Sequence, residues 1–205
     1  MTKKKNISFA IIFAISALTA AAGSASAAQP SMKLAGKTSQ PIGHYEFCKR
    51  YAAECKPLSG GDAGPAALTP EMWKTILDVN YTINTAIRPE TDMEQYGVED
   101  YWAYPVTAGD CEDYALLKRR TLIEKGIPAS DLLITVVLQP SGEGHAILTV
   151  RTDHGDFVLD NMRNKVLLWS DTEYTYLKRQ ANDNPGQWTK IIDDRNAAVA
   201  TLQSK

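Results

Sequence analysis

Cys111 is the residue of this chain best suited to covalent chemistry. Of the three cysteines, Cys48 and Cys55 lie seven apart, whereas Cys111 stands alone after Gly109-Asp110, where a helix is predicted to begin. A thiol attacks a carbonyl carbon as the thiolate. A helix N-terminus stabilises that anion through unpaired backbone N–H groups and the positive end of the dipole. The thiol also needs a base, and the base needs an acceptor that orients it. His145 opens a predicted strand after the turn Ser141-Gly142-Glu143-Gly144, and Asp160 closes the next strand. With Gly155 near the hairpin tip, these two positions fall near the open end of one ladder, imidazole beside carboxylate.

Each of these residues also has a plainer use, since a histidine opening a strand is often structural and an aspartate after one is often a turn former. It is the combination with a lone thiol at a helix start that points to catalysis. The other histidines compete poorly: His44 falls in a segment read as irregular, and His154 in the hairpin tip. No CxxC, HxxxH or HExxH spacing occurs, so a zinc site is not expected.

The elements that must position these groups follow from punctuation and periodicity. Residues 28–40 read as a partly ordered leader, 43–55 as a stretch able to pair with an edge of the core, and 58–67 as loop. Thr69-Pro70-Glu71 is a helix start, and apolar residues from Met72 to Ile87 recur at helical spacing until Pro89. Residues 90–107 read as a long structured loop. The nucleophile helix is predicted from Cys111 to Lys125, stopped by Gly126 and Pro128, with Lys118, Arg119 and Arg120 facing solvent or the helix C-terminus. Leu132 to Leu138 is apolar on both faces and therefore a central strand. Strands at 146–151 and 157–160 form the hairpin, with further strands at 165–169 and 187–192 separated by a polar segment. Helices followed by an antiparallel meander define an α+β domain.

The start of the chain, Lys3-Lys4-Lys5, an apolar run to about Ala22 and Ala25-Ser26-Ala27, reads as a secretory signal peptide over residues 1–27. Residues 28–205 then form one domain, with no membrane-spanning segment after cleavage. Losing three lysines and no acids takes the formal charge from −2 to −5, which leaves no basic footprint for nucleic acid. Protein or peptide partners are expected. Export makes a Cys48–Cys55 disulfide plausible, with two buried thiols as the alternative.

The run Gly109-Asp110-Cys111-Glu112-Asp113-Tyr114-Ala115-Leu116-Leu117-Lys118-Arg119, with Gly144-His145-Ala146-Ile147-Leu148 and Gly155-Asp156-Phe157-Val158-Leu159-Asp160-Asn161, resembles the bacterial transglutaminase-like cysteine proteinases. Val79-Asn80 and Asp100-Tyr101-Trp102 extend the likeness. The resemblance implies a papain-like, transglutaminase-like core and a triad of Cys111, His145 and Asp160. It also implies a periplasmic or secreted enzyme of the LapG type, which cuts a surface adhesin and depends on calcium bound by acidic residues flanking the nucleophile, here Asp110 and Glu112. A membrane regulator that sequesters the enzyme is a further implied partner. Two carboxylates beside a thiol should raise its pKa and blunt it, a conflict that calcium would relieve through hard oxygen ligands. The alternative is capping, with Asp110 as N-cap and Glu112 and Asp113 in the first turn. For the oxyanion, the Cys111 backbone N–H is the expected donor, with the side chains of Asn80 and Trp102 as further candidates. Acyl transfer to an amine by the same triad, and a non-catalytic calcium- or peptide-binding module, stand as alternative functions.

Overall fold

The computed structural model describes Met1 and residues 30–195; apart from Met1, the segment read as a signal peptide lies outside the described residues. The chain runs β1 (Lys33–Thr38), α1 (Ile42–Arg50), α2 (Pro70–Ala86), β2 (Arg88–Pro89), α3 (Asp92–Tyr96), β3 (Ala108–Gly109) and α4 (Cys111–Glu124). It continues through β4 (Leu132–Leu138), β5 (Gly144–Thr152), β6 (Gly155–Asp160), β7 (Arg163–Leu168), β8 (Thr175–Gln180) and β9 (Trp188–Ile192). Seven strands form one antiparallel sheet in the order β1-β9-β8-β4-β5-β6-β7, which places β4 at its centre as its doubly apolar sequence requires. The fold is α+β.

Helix α2 begins as its sequence dictates. The Thr69 hydroxyl accepts from the Met72 N–H, Pro70 occupies the first turn, and Ile76, Val79 and Ile83 fill the buried face. Each such aliphatic side chain contributes roughly 1.5–3 kcal/mol by leaving water. Against this face packs α4, which also lies on β4, β5 and β6. Tyr114, Leu116, Leu122, Leu132, Ile134, Leu148 and Leu159 meet in the core so formed. A smaller cluster built on Val137, Ile147, Val158, Trp169 and Tyr176 covers the other face of the sheet. The two-residue parallel pair of β2 with β3 ties the exit of α2 to the entrance of α4. This pairing aims the α4 N-terminus.

Five expectations are corrected. Residues 33–38 are not a loose leader but an edge strand. Their side chains are mostly exposed, so β1 is held by backbone pairing to β9 and carries no apolar period to read. Residues 42–50 form helix α1 rather than a strand, with only Gly43, His44 and Phe47 buried, too few to show a helical pattern. The polar segment after Trp169 contains strand β8, whose buried Arg179 pairs with Asp156 at 3.3 Å. Lys118 and Arg119 do not face solvent, because α4 is packed on two sides. Arg119 Nε donates to the Leu132 carbonyl at 2.9 Å, and Lys118 Nζ is buried with no hydrogen-bond partner. Short helix α3, closed by a Thr91/Glu94 capping box, also lies within the stretch read as loop. Cys48 and Cys55 are joined in a disulfide that ties α1 to the turn after it.

Candidate active site

Three elements bring the predicted groups together at the edge of the helix–sheet interface. Gly109 is packed so closely that a Cβ there would lie 2.7 Å from Asp113 Oδ2, which lets β3 run directly into α4 and leaves Cys111 as the first helical residue. The Ala146 N–H, at the start of β5, points at Cys111 Sγ from 3.3 Å. His145 precedes it, and its Nε2 lies 3.0 Å from Asp160 Oδ1 at the end of β6. An ionised carboxylate only accepts, so Nε2 carries the proton and Nδ1 is the nitrogen able to take one.

Asp160 is fully buried, yet every part of it is engaged. Oδ1 also accepts from the Met162 N–H at 3.0 Å, and Oδ2 from the Tyr174 hydroxyl at 2.6 Å, with Arg163 Nε at 3.2 Å. The Asn84 amide donates to its backbone carbonyl at 2.8 Å. Burial would raise its pKa, but the hydrogen bonds from His145, Tyr174 and Met162 win and hold it down at about 2. Tyr174 and Arg163 went unread in the sequence because they lie on a strand approach and a neighbouring strand, with no motif linking them to Asp160.

On the helix side the balance is reversed. The Cys111 thiol donates to Glu112 Oε2 at 3.2 Å, and burial first, then the Glu112 charge, pushes the thiol up. Burial together with neighbouring Asp110 raises Glu112 to about 10. Burial raises Asp113 to about 7, and Asp110 moves in the same direction for the same reason. Asp110 occupies the N-cap position, but its side chain makes no capping hydrogen bond; Oδ2 accepts from the Asp92 N–H at 3.3 Å instead. Capping therefore does not account for Asp110. Asp92, Asp110 and Asp113 offer oxygens within 4.8 Å of one another, as do Asp92, Asp100 and Glu112. Asp92 Oδ1, Asp110 Oδ1 and Asp113 Oδ2 are buried with no hydrogen-bond partner. Such a set of unmatched carboxylate oxygens suits a hard cation. The contributions of Asp92 and Asp100 arise from α3 and the following loop, and only the fold brings them to Asp110 and Glu112.

The two side chains considered as oxyanion donors are otherwise committed. Trp102 Nε1 donates to Asp100 Oδ1 at 2.7 Å, and the Asn80 amide donates to the carbonyls of Arg163 and Asn164 at 3.2 and 3.1 Å. His44, read as lying in an irregular segment, is a core residue packed between Trp102 and Trp188. Burial drives its pKa to about 3. It is thus a neutral structural histidine, remote in role from the thiol.

Comparison with known proteins agrees with this architecture. The structure of calcium-bound Legionella pneumophila LapG aligns at 22% identity over 66% of this chain and 82% of its own, with a TM-score of 0.50. A second Legionella pneumophila LapG structure aligns at 25% identity over 67% and 78%, and an EGTA-treated form at 25% over 62% and 70%, both with a TM-score of 0.50. No curated protein matches the chain. The sequence matches the family of bacterial transglutaminase-like cysteine proteinases, BTLCP, over residues 34–196, nearly the whole of the described domain. With a thiol at a helix start facing the mouth of a His/Asp hairpin, the chain belongs to the bacterial transglutaminase-like cysteine proteinases and is a cysteine peptidase.

Proposed function

We propose that this chain is an exported, periplasmic peptidase that cleaves a protein substrate, a surface adhesin, with Cys111 as nucleophile, His145 as base and then acid, and Asp160 as the group that orients His145. The observation that carries the reading is the buried His145–Asp160 pair at 3.0 Å, next to the backbone N–H that faces Cys111 Sγ. His145 Nδ1 takes the thiol proton, and the thiolate is stabilised by the Ala146 N–H and the α4 N-terminus. Sγ bonds to the substrate carbonyl carbon, and the oxyanion is met by the Cys111 backbone N–H. The imidazolium returns its proton to the departing amine, the C–N bond breaks, and a water activated by His145 then hydrolyses the thioester. Among the described residues no helix is long and apolar enough to cross a membrane. A membrane protein that sequesters the enzyme is a partner of the same proposal.

Calcium fits the helix side of this site on the chemistry of its donors: Asp110 and Glu112, joined by Asp92, Asp100 and Asp113, among which Asp92, Asp110 and Asp113 each keep one buried oxygen without a hydrogen-bond partner. A calcium ion held there would neutralise the carboxylates and so ease formation of the thiolate. Glu112 is the acceptor that keeps the thiol protonated, so its Oε2 must be engaged elsewhere before His145 can collect that proton. The test is cleavage of surface proteins by the purified wild type and Cys111→Ser, with new N-termini mapped, with and without a calcium chelator. Fragments that appear only with wild type, and fade with chelator, are expected. Identical fragment maps for the two proteins would sink the peptidase assignment of Cys111, and chelator-insensitive cleavage would remove calcium from it.

A further inference from the structure

The far side of Asp160 carries a second set of contacts that the catalytic reading does not use. Tyr174, 3% exposed and placed just before β8, donates its hydroxyl to Asp160 Oδ2 at 2.6 Å while its ring lies 5.6 Å from the His145 ring. Arg163, from β7, sets Nε 3.2 Å from the same oxygen, and its Nη2 donates to the Tyr174 oxygen at 3.1 Å and to Glu173 at 2.7 Å. Its guanidinium also lies 5.2 Å from the centre of the Tyr174 ring. One carboxylate thus has two differently loaded oxygens: Oδ1 toward His145, and Oδ2 anchored by a phenol and a guanidinium.

We infer that Tyr174 and Arg163 are positioning residues of the triad, which fix the Asp160 carboxylate with Oδ1 toward His145 and draw part of its negative charge to Oδ2. The inference rests on the triad reading above. Its physical content is a division of labour. Charge-assisted donors at Oδ2 weaken Oδ1 as an acceptor, so the imidazolium formed during turnover is stabilised enough to exist but not enough to be trapped. Removing one donor leaves the other, together with the Met162 N–H, to hold the carboxylate in place. The position of the carboxylate should therefore outlast the loss of a single contact, while the charge on Oδ1 rises. The charged and titratable groups facing His145 and Asp160 are Cys111 and Lys118 from α4, Arg163 from β7, and Tyr174 with its neighbour Glu173 before β8. Burial lowers Lys118 to about 7, against the pull of the Asp160 charge.

The experiment is a carbon-13 NMR titration of histidine-labelled full-length enzyme in a Cys111→Ala background, which isolates the imidazole from the thiol. The His145 signal is identified by its loss in His145→Ala. Tyr174→Phe, which keeps the ring, is expected to move the His145 signal's midpoint upward from that of the Cys111→Ala parent, Arg163→Gln at least as far, and Arg163→Lys less. Thermal unfolding of each variant reports folding separately. Midpoints that coincide with the parent in both Tyr174→Phe and Arg163→Gln, or that move down, would overturn the inference. The triad itself is tested apart: iodoacetamide labelling of Cys111 at equal rates in wild type and His145→Ala would bring down the reading on which the inference stands.

Discussion

The two walls of the candidate active site are built on opposite electrostatic plans. On the sheet side, His145 and Asp160 are buried with each carboxylate oxygen supplied with donors, and Asp160 is held at about 2. On the helix side, five carboxylates crowd together at the start of α4, three of their oxygens are buried without partners, and Glu112 and Asp113 are driven to about 10 and about 7. The difference teaches that the His145–Asp160 pair is complete within the polypeptide, whereas the surroundings of Cys111 are not. A carboxylate cluster of this kind is tolerable only when protonated or when matched by a cation.

The largest effect should come from removing either Cys111 or His145, one from each wall. Cys111→Ala or His145→Ala is expected to lower kcat/KM by roughly 10⁴-fold or more, because these groups act as one unit, while leaving the thermal midpoint near that of wild type. Asp160→Asn should cost more than tenfold in activity, but less than loss of His145, since it upsets tautomer and orientation only. Peptide turnover and calorimetry on the same preparations check both. An active His145→Ala enzyme would mean that the sheet side supplies no base.

The contrast is sharpened by pH. Asp160, with a folded value of about 2 against the ordinary 3.8, contributes stability that is present above 3.8 and lost as pH falls toward 2. Asp113 and Glu112 are raised above their ordinary 3.8 and 4.5, so the fold favours their protonated forms. That contribution is complete below about pH 4 and declines as pH rises through about 7 and toward 10. In calcium-free buffer the melting temperature should therefore drop by a few degrees between about pH 5 and pH 8, and calcium should restore it at the upper end. Asp113→Asn should flatten the curve. A calcium-free profile that rises over this interval would show that the helix-side carboxylates are not strained.

The smallest effect concerns the scaffold behind the helix wall. The Cys48–Cys55 disulfide braces α1, whose Gly43 N–H donates to Asp100 Oδ2 at 2.9 Å and so touches the acidic cluster. Gly43 is required there, because a Cβ would sit 2.3 Å from Asp100 Oδ1. Replacing both cysteines by serine should cost about 2–3 kcal/mol, the value for a short closed loop, with the triad still reactive. Denaturant melts of the double variant would decide it. An unchanged transition midpoint would argue that α1 needs no bridge.

Strong periodicity and sharp punctuation made part of this protein legible in its sequence. The α2 and α4 helices, central strand β4 and the β5–β6 hairpin follow from Thr69-Pro70, Gly126-Pro128, a doubly apolar run and a glycine turn. The pairing of His145 with Asp160 followed too, because a hairpin converts sequence distance into register. Edge strand β1, helix α1 and strand β8 were not legible, since they are held by backbone pairing, a few aromatic contacts and buried ion pairs that leave no hydrophobic period. Tertiary structure alone decided that Lys118 and Arg119 turn inward, that Trp102 and Asn80 spend their donors elsewhere, and that Asp92 and Asp100 join Asp110 and Glu112. Local sequence sets the type of each element through short-range sterics and burial pattern. Which charges share a pocket depends on contacts between residues far apart in the chain, and those exist only once the helices have docked on the sheet.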